Sequence, residues 1–144
     1  MPKFSQLFWL LFGLAIVADQ LVKIVILGGF RWESDCLSIV LTYNDGVAFS
    51  MFSALGPWLK YLQIVLIGGV VLYIFRAKLL VPYGPALGLL LGSGASNVID
   101  RFVHGGVVDY VFWHCGFEFA VFNLADATIN LSVALLIYLH FKKR

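Results

Sequence analysis

The chain has 144 residues, of which 61% are hydrophobic and only 12% are charged. Soluble domains contain about 45–50% apolar and about 25% charged residues, so this composition indicates a small integral membrane protein. The formal net charge of +2 gives no reason to expect nucleic-acid binding.

Four apolar stretches follow one another along the chain, at about residues 4–27, 58–75, 81–99 and 124–141. A helix needs roughly 20 apolar residues to cross a bilayer, and each stretch is close to that length. Continuous hydropathy favours helices over a barrel, whose strands alternate in segments of about ten residues. The sequence therefore predicts an all-α membrane protein, a four-transmembrane-helix bundle that forms one integral domain over residues 1–144.

The basic residues are distributed unevenly between the two ends of this bundle. One end would hold Lys3, Arg76, Lys78, Lys142, Lys143 and Arg144, and the other Arg31, Lys60 and Arg101. Because cytoplasmic segments carry the excess of lysine and arginine, we expect cytoplasmic termini. The connections at about residues 28–57 and 100–123 would then lie outside.

The first outer connection contains a partly alternating, β-branched segment at residues 36–43. Such a pattern is typical of a strand or hairpin, so we expect a small extracytoplasmic β-element on the membrane surface. Trp32, Trp58 and Trp113 lie in or beside the outer connections, as interfacial residues do.

The two cysteines, Cys36 and Cys115, belong to no Cys/His ligand cluster, which argues against a zinc site. A disulfide requires both to lie outside the cytoplasm. Since two thiols alone set no geometry, the sequence favours unpaired cysteines.

Charged residues within the apolar chain are the strongest clue to function, because an ionised side chain at membrane depth costs several kcal/mol unless it is paired or hydrated. Asp19 and Lys23 are four residues apart and share a helix face, which favours a structural ion pair over a catalytic role. Asp109 and Asp126 instead lie in compact polar segments that flank one loop. We expect those two carboxylates to share a site.

Two of these polar segments have a structural explanation as well as a functional one. Asn123 is a good helix N-cap and Asp126 would complement the helix dipole, so the pair could simply begin the last helix. Gly105 and Gly106 before Asp109 suggest a close backbone approach, but a turn into a short strand would have the same sequence.

Two further polar segments also have structural explanations. Residues 44–50 are typical of a turn with Asn or Gly at positive φ. Residues 92–101 could be a small-residue helix interface that ends in a surface ion pair. Asn97 and Asp100 are three apart on that helix, so they would face the bundle.

Five motifs occur in a fixed order: Asp19 to Lys23, Asn44 to Phe49, Asn97 to Arg101, Gly106 to Asp109 and Phe122 to Asp126. With these motifs the chain resembles the lipoprotein signal peptidase family (signal peptidase II), which are bacterial membrane aspartic proteases. The resemblance covers nearly the whole chain. It implies removal of the signal peptide from diacylglyceryl-modified prolipoproteins, with the cut just before the lipidated cysteine.

The resemblance also assigns roles to individual residues, in three groups. It implies that Asp109 and Asp126 are a catalytic dyad, with no metal or cofactor. We expect Asp126 to be the base, because a helix N-terminus favours its ionised form, and Asp109 to be the acid. The residues implied to bind substrate are Asn44, Asn97, Arg101 and Asn123. Those implied to give structural support are Asp19, Lys23, Gly46, Phe49 and Asp100, the last by orienting Arg101.

The family's setting follows from the same resemblance. It implies the bacterial cytoplasmic (inner) membrane, an active site at its outer face, and membrane lipids and lipid-modified prolipoproteins as partners. It also implies inhibition by globomycin-type cyclic peptides.

Two other functions are compatible with parts of the sequence. A small transporter or scaffold could use the aspartate pair to bind protons or a cation, although no internal repeat supports this. A rhomboid-like serine protease is suggested by Ser93 and Ser96, but it would need a histidine at similar depth, and His104, His114 and His140 lie elsewhere.

Overall fold

Four helices make up most of the structure, a computed structural model that describes residues 3–46 and 52–142. They are α1 (Lys3–Leu27), α2 (Leu59–Arg76), α3 (Leu80–Val103) and α4 (Leu124–Lys142). Their ends agree closely with the four apolar stretches, except that α3 continues beyond residue 99. Within the described ranges, three helical segments are long and apolar enough to cross a membrane, namely Ser5–Leu27, Ala54–Arg76 and Leu124–Lys142.

The remaining helix, α3, is the most buried of the four and packs against the other three. Its contact with α1 depends on glycine. A Cβ at Gly88 would lie 2.5 Å from the carbonyl oxygen of Phe8, and one at Gly92 would overlap the carbonyl oxygen of Phe12. Small residues let helix backbones approach closely in this way. The predicted small-residue interface is therefore confirmed.

A three-stranded antiparallel sheet lies at one end of the bundle, in the order β1 (Trp32–Glu33), β2 (Leu37–Asn44) and β3 (Val107–Trp113). The predicted β-element is confirmed by β2. At its two ends β2 pairs Leu37 with Trp113 and Asn44 with Val107. Gly106 precedes β3, and a Cβ there would lie 3.1 Å from the Asn44 carbonyl oxygen, so glycine is needed for this close approach.

The sheet marks the end of the bundle at which α1 and α3 finish and α2 and α4 begin. After β3 the chain turns back, and Phe122 forms an isolated bridge with Val111. This return brings the first turn of α4 beside β3. The charged residues of both elements therefore come together at the boundary between sheet and bundle.

The expectation of unpaired cysteines is wrong, because Cys36 and Cys115 form a disulfide, with their Cα atoms 4.2 Å apart. Cys36 precedes β2 and Cys115 follows β3. In the strand register Leu37 lies opposite Trp113. One residue further along, the His114 amide donates a hydrogen bond to the Cys36 carbonyl oxygen. Strand register thus sets the geometry that two thiols alone could not.

Candidate active site

A cavity of about 490 Å³ opens where the sheet meets the bundle. The apolar residues that line it are Val107, Phe119, Ala120, Val121, Phe122 and Ile129. The polar residues that line it are Asn44, Gln63, Asn97, Arg101, Asp109, Asp126 and Asn130. The structure therefore brings Asp109, from β3, and Asp126, from α4, to one cavity.

Asp109 is almost completely buried, with 1% of its surface exposed. Its Oδ1 accepts a hydrogen bond of 2.7 Å from Asn123 Nδ2, and its Oδ2 accepts one of 3.1 Å from Asn44 Nδ2. Burial, and then the negative charge of Asp126, raise the pKa of Asp109 to about 6, against the opposing effect of the two amide hydrogen bonds. Asp109 therefore keeps its proton at a higher pH than an ordinary aspartate.

Asp126 lies in the first turn of α4 and is held by amides on both oxygens. Asn97 Nδ2 donates to its Oδ1 at 2.9 Å, and the Asn123 backbone amide donates to its Oδ2 at 3.2 Å. Asn123 Oδ1 accepts in return from the Asp126 amide at 2.9 Å. This reciprocal pair is a capping arrangement, so the predicted helix start is confirmed at the same residues that face the cavity.

Two asparagine side chains connect the carboxyl groups to each other. Asn123 Nδ2, which donates to Asp109, also lies 3.1 Å from Asn97 Oδ1, and Asn97 in turn donates to Asp126. A continuous series of hydrogen bonds therefore links Asp109 to Asn123, Asn123 to Asn97, and Asn97 to Asp126. Both carboxyl groups have their positions fixed by the same pair of amides.

Behind these amides lies a buried cluster centred on Lys23. Its ammonium is 2.6 Å from Asp19 and 2.5 Å from Asp100, and all three side chains are 1% exposed. The predicted ion pair of Asp19 and Lys23 is therefore present. It lies closer to the site than the sequence indicated, because Lys23 also donates to Asn97 Oδ1 at 3.2 Å, and Asp19 accepts from the Ala125 amide at 2.9 Å.

Among the described residues Asp100 makes no hydrogen bond or ion pair with Arg101, so its role in orienting Arg101 stays a prediction. Asp100 accepts hydrogen bonds from Gln20 and, at 3.1 Å, from the Val108 amide, in addition to its contact with Lys23. Consecutive residues of a helix do not face each other, which explains the separation from Arg101. Both side chains are buried rather than forming a surface ion pair, and Asp100 instead fixes the strand backbone beside Asp109.

Arg101 is 6% exposed and lines the cavity. Its guanidinium donates to the carbonyl oxygens of Gly46 and, at 3.2 Å, of Asn97. Its Nε is buried without a partner in the described part of the chain, so a donor remains for a bound molecule. Gly46 also donates to Asn44 Oδ1 at 3.0 Å, which confirms a turn at the start of residues 44–50, but neither Asn44 nor Gly46 has the expected positive φ. Phe49 lies outside the described residues.

Three residues of the site have positions or contacts that were not predicted from the sequence. Ser96 donates to Asp19 at 2.6 Å and accepts from Gln20 at 2.9 Å, so its hydroxyl connects α1 to α3. Gln63 and Asn130 line the cavity. A signal existed for both of these amides, since each interrupts an apolar stretch, and Asn130 follows Asp126 by one helical turn.

Comparison with known proteins finds a matching family and relatives of the same kind. The sequence matches the family described as "Signal peptidase (SPase) II" over residues 11–142. It is 53% identical to the lipoprotein signal peptidase of Wolinella succinogenes, covering 93% of this chain and 92% of that protein. It is 51% identical to that of Campylobacter jejuni, covering 99% and 92% respectively.

A solved structure shares the fold. The chain superposes on a bacterial membrane enzyme, determined by the in meso method at 2.3 Å resolution, with a TM-score of 0.78 and 26% sequence identity. The match covers 92% of this chain and 86% of that one. Together with the family match over residues 11–142, these relatives establish that the chain belongs to the signal peptidase II family.

Proposed function

We propose that this protein is a membrane aspartic endopeptidase that removes the signal peptide from diacylglyceryl-modified prolipoproteins by cutting before the lipidated cysteine. The observation that carries the proposal is the joint placement of Asp109 and Asp126 on one cavity, where both are hydrogen-bonded to the pair Asn97 and Asn123. Membership of the family and the names of the relatives support the substrate class.

The chemistry needs one protonated and one ionised carboxyl group. Asp126 removes a proton from a water molecule as the water oxygen attacks the scissile carbonyl carbon, and Asp109 donates its proton to the carbonyl oxygen. When the resulting diol collapses, the C–N bond breaks and the cysteine nitrogen takes the proton from Asp126. A hydroxyl of the diol returns a proton to Asp109, which restores the starting state.

The environment of each carboxyl group supports this division of roles. The raised pKa of Asp109 keeps a proton available for donation. Asp126 accepts one hydrogen bond from the Asn97 side-chain amide and one from the Asn123 backbone amide, so both of its oxygens are held as acceptors, the form that a base needs. Because two nearby carboxyl groups titrate as a pair, these roles describe the state that begins the reaction.

The residues around the dyad are suited to hold an extended peptide. Arg101 Nε, which has no partner among the described residues, can donate to a peptide carbonyl, and Asn44 and Asn97 line the same cavity. Residues 119–122 are apolar, line the same cavity and suit apolar substrate side chains.

We also propose that all four helices cross the bacterial cytoplasmic membrane and that the sheet and cavity lie at its outer face. The excess of lysine and arginine at the opposite end supports this orientation. The Cys36–Cys115 disulfide beside the sheet is consistent with an oxidising compartment.

The test is cleavage by purified protein in lipid bicelles, with a diacylglyceryl-modified proprotein and its unlipidated form as substrates. Mass spectrometry should find one cut, before the modified cysteine, in the lipidated substrate only. Asp109→Asn and Asp126→Asn should each lower kcat by about 10³-fold or more, as for other groups that transfer protons in a hydrolase.

Asp35→Asn is the matched control, because it makes the same chemical change at an exposed position in the turn before β2. It should retain the wild-type rate. Failure of the wild-type protein to cut, a cut at another bond, or equal cleavage of the unlipidated substrate would contradict the proposal.

A further inference from the structure

Gln63 and Asn130 line the active-site cavity but have no part in the chemistry proposed above. Gln63 lies in the second turn of α2, and its Oε1 is buried with no hydrogen-bond partner in the described portion of the chain. A buried acceptor without a donor costs about 1–3 kcal/mol. Such a group in a ligand cavity indicates a donor that arrives with the ligand.

The distance of Gln63 and Asn130 from the sheet follows from their positions along α2 and α4. Asn130 is four residues after Asp126 on α4, so it lies on the same face and about 6 Å further from the sheet. Gln63 is four residues after Leu59, where α2 begins at the sheet end, so it lies about 6 Å into the bundle and lines the same cavity. The two amides therefore lie on the bundle side of the catalytic carboxyl groups.

An extended peptide advances about 3.3 Å per residue, so 6 Å corresponds to about two residues. A substrate whose scissile bond lies at Asp109 and Asp126 and whose signal peptide enters the bundle would have the second residue before the cut at this depth. Its backbone amide has left the helix of the signal peptide and needs a partner at membrane depth.

The chemistry of the unpartnered atom distinguishes peptide from lipid. Gln63 Oε1 is an acceptor, and a peptide N–H is a donor. The ester groups of a diacylglyceryl chain offer acceptors only, so they cannot pair with it. The missing donor therefore belongs to the signal peptide rather than to the lipid.

We propose that Gln63 accepts a hydrogen bond from a backbone N–H of the signal peptide about two residues before the scissile bond, with Asn130 lining the same cavity from α4. Gln63 is thus a positioning residue, and the proposal rests on the proposed function. This hydrogen bond would make the enzyme select substrates by an extended backbone before the cut as well as by the lipidated cysteine.

The experiment measures kcat/KM for the wild-type protein and Gln63→Met, each with the lipidated substrate and with three versions N-methylated singly at the three residues before the cut. Methylation removes one N–H. With the wild-type protein, one of these versions should lose about 10-fold in kcat/KM, in the range of one hydrogen bond to a buried acceptor. With Gln63→Met the same methylation should cost less than about 2-fold.

Ile64→Met is the matched control, since it introduces the same side chain at the adjacent residue, whose side chain is 46% exposed on the helix surface. It should retain the full sensitivity to N-methylation. A substrate with ether-linked chains, which lacks the ester carbonyls, should lose no more with the wild-type protein than with Gln63→Met.

Three results would overturn the inference. N-methylation has no effect at any of the three positions, or it has the same effect in the wild-type protein and in Gln63→Met, or the ether-linked substrate shows a loss that depends on Gln63. In each case normal cleavage of the unmodified lipidated substrate would leave the proposed function standing. Absence of that cleavage would overturn both.

Discussion

At the scale of single residues, amides rather than cations contact the two carboxyl groups of the site. Asn44 and Asn123 donate to Asp109, while Asn97 donates to Asp126. An amide fixes the position of a carboxyl group but does not neutralise it. Burial and mutual repulsion therefore dominate the protonation of Asp109 and raise its pKa.

This environment predicts a pH dependence of stability. Because the pKa of Asp109 is about 6 in the folded protein and 3.8 ordinarily, the folded state binds the proton more tightly. Its stabilising contribution is complete below about pH 4 and is lost as the pH rises through about 6, a change of about 3 kcal/mol in the free energy of unfolding. Thermal unfolding in detergent at pH 4 to 8 should show this decline in the wild-type protein and a clearly smaller decline in Asp109→Asn.

Asp126→Asn provides a second comparison. It removes the second cause of the raised pKa, the charge of Asp126, so the decline should shift to lower pH but should not disappear, because burial remains. Identical pH profiles for the wild-type protein and Asp109→Asn would contradict this account of the site.

Much of the site could be predicted from the sequence because charged residues are conspicuous in an apolar chain. Asp109 and Asp126 stood out for this reason. The contacts of Asp100 could not be predicted, since they join α1, α3 and β3 and depend on how three elements pack. Gln63 was missed because a single amide in an apolar helix is a weaker signal than a charge.

At the scale of elements, the close contact of α1 with α3 aligns the buried polar cluster. Gly92 lies against the backbone of Phe12, which is about two and three helical turns before Asp19 and Lys23 on α1. This approach brings Asp19 and Lys23 within hydrogen-bond reach of Ser96 and Asp100. A larger residue at Gly92 would separate the helices.

We therefore expect Gly92→Ala to destabilise the protein by about 2 kcal/mol or more, in the range measured for overpacked interiors. The added methyl group would overlap the carbonyl oxygen of Phe12 and lie 3.0 Å from the Ala15 Cβ. Thermal unfolding in detergent is the measurement, and the melting temperature should fall.

Gly94→Ala on the same helix is the control, because a Cβ there meets only Ile67 Cδ1, at an ordinary 3.7 Å. Alanine favours a helix over glycine by about 1 kcal/mol, so this variant should be as stable as the wild-type protein or slightly more so. Equal effects of the two substitutions would show that the contact at Gly92 is not tight.

The elements themselves differ in how far they could be predicted. Helix bounds follow from hydropathy, which is local in sequence, and α1, α2 and α4 agree closely with it. Strand pairing joins residues 37–44 to residues 107–113, and no local pattern sets that register. The Cys36–Cys115 disulfide depends on the register and was predicted wrongly for the same reason.

At the scale of the whole molecule, polar and apolar surfaces are separated in a way that suits a membrane enzyme. Large apolar side chains are exposed along α1, α2 and α4, whereas the charged cluster lies between α1 and α3. Trp32, Trp58 and Trp113 are 49%, 74% and 40% exposed near the sheet end, where interfacial residues are expected. The cavity lies at that same end of the bundle.

The central claim is that Asp109 and Asp126 act as one catalytic unit, and a double-mutant comparison of kcat tests it most directly. Rates for the wild-type protein, Asp109→Asn, Asp126→Asn and the double variant would be measured with one lipidated substrate. Groups that share one proton-transfer step are strongly non-additive, so each single variant should lose about 10³-fold or more and the double variant at most about 10-fold further. Near-normal cleavage by either single variant, or losses that multiply in the double variant, would contradict the claim.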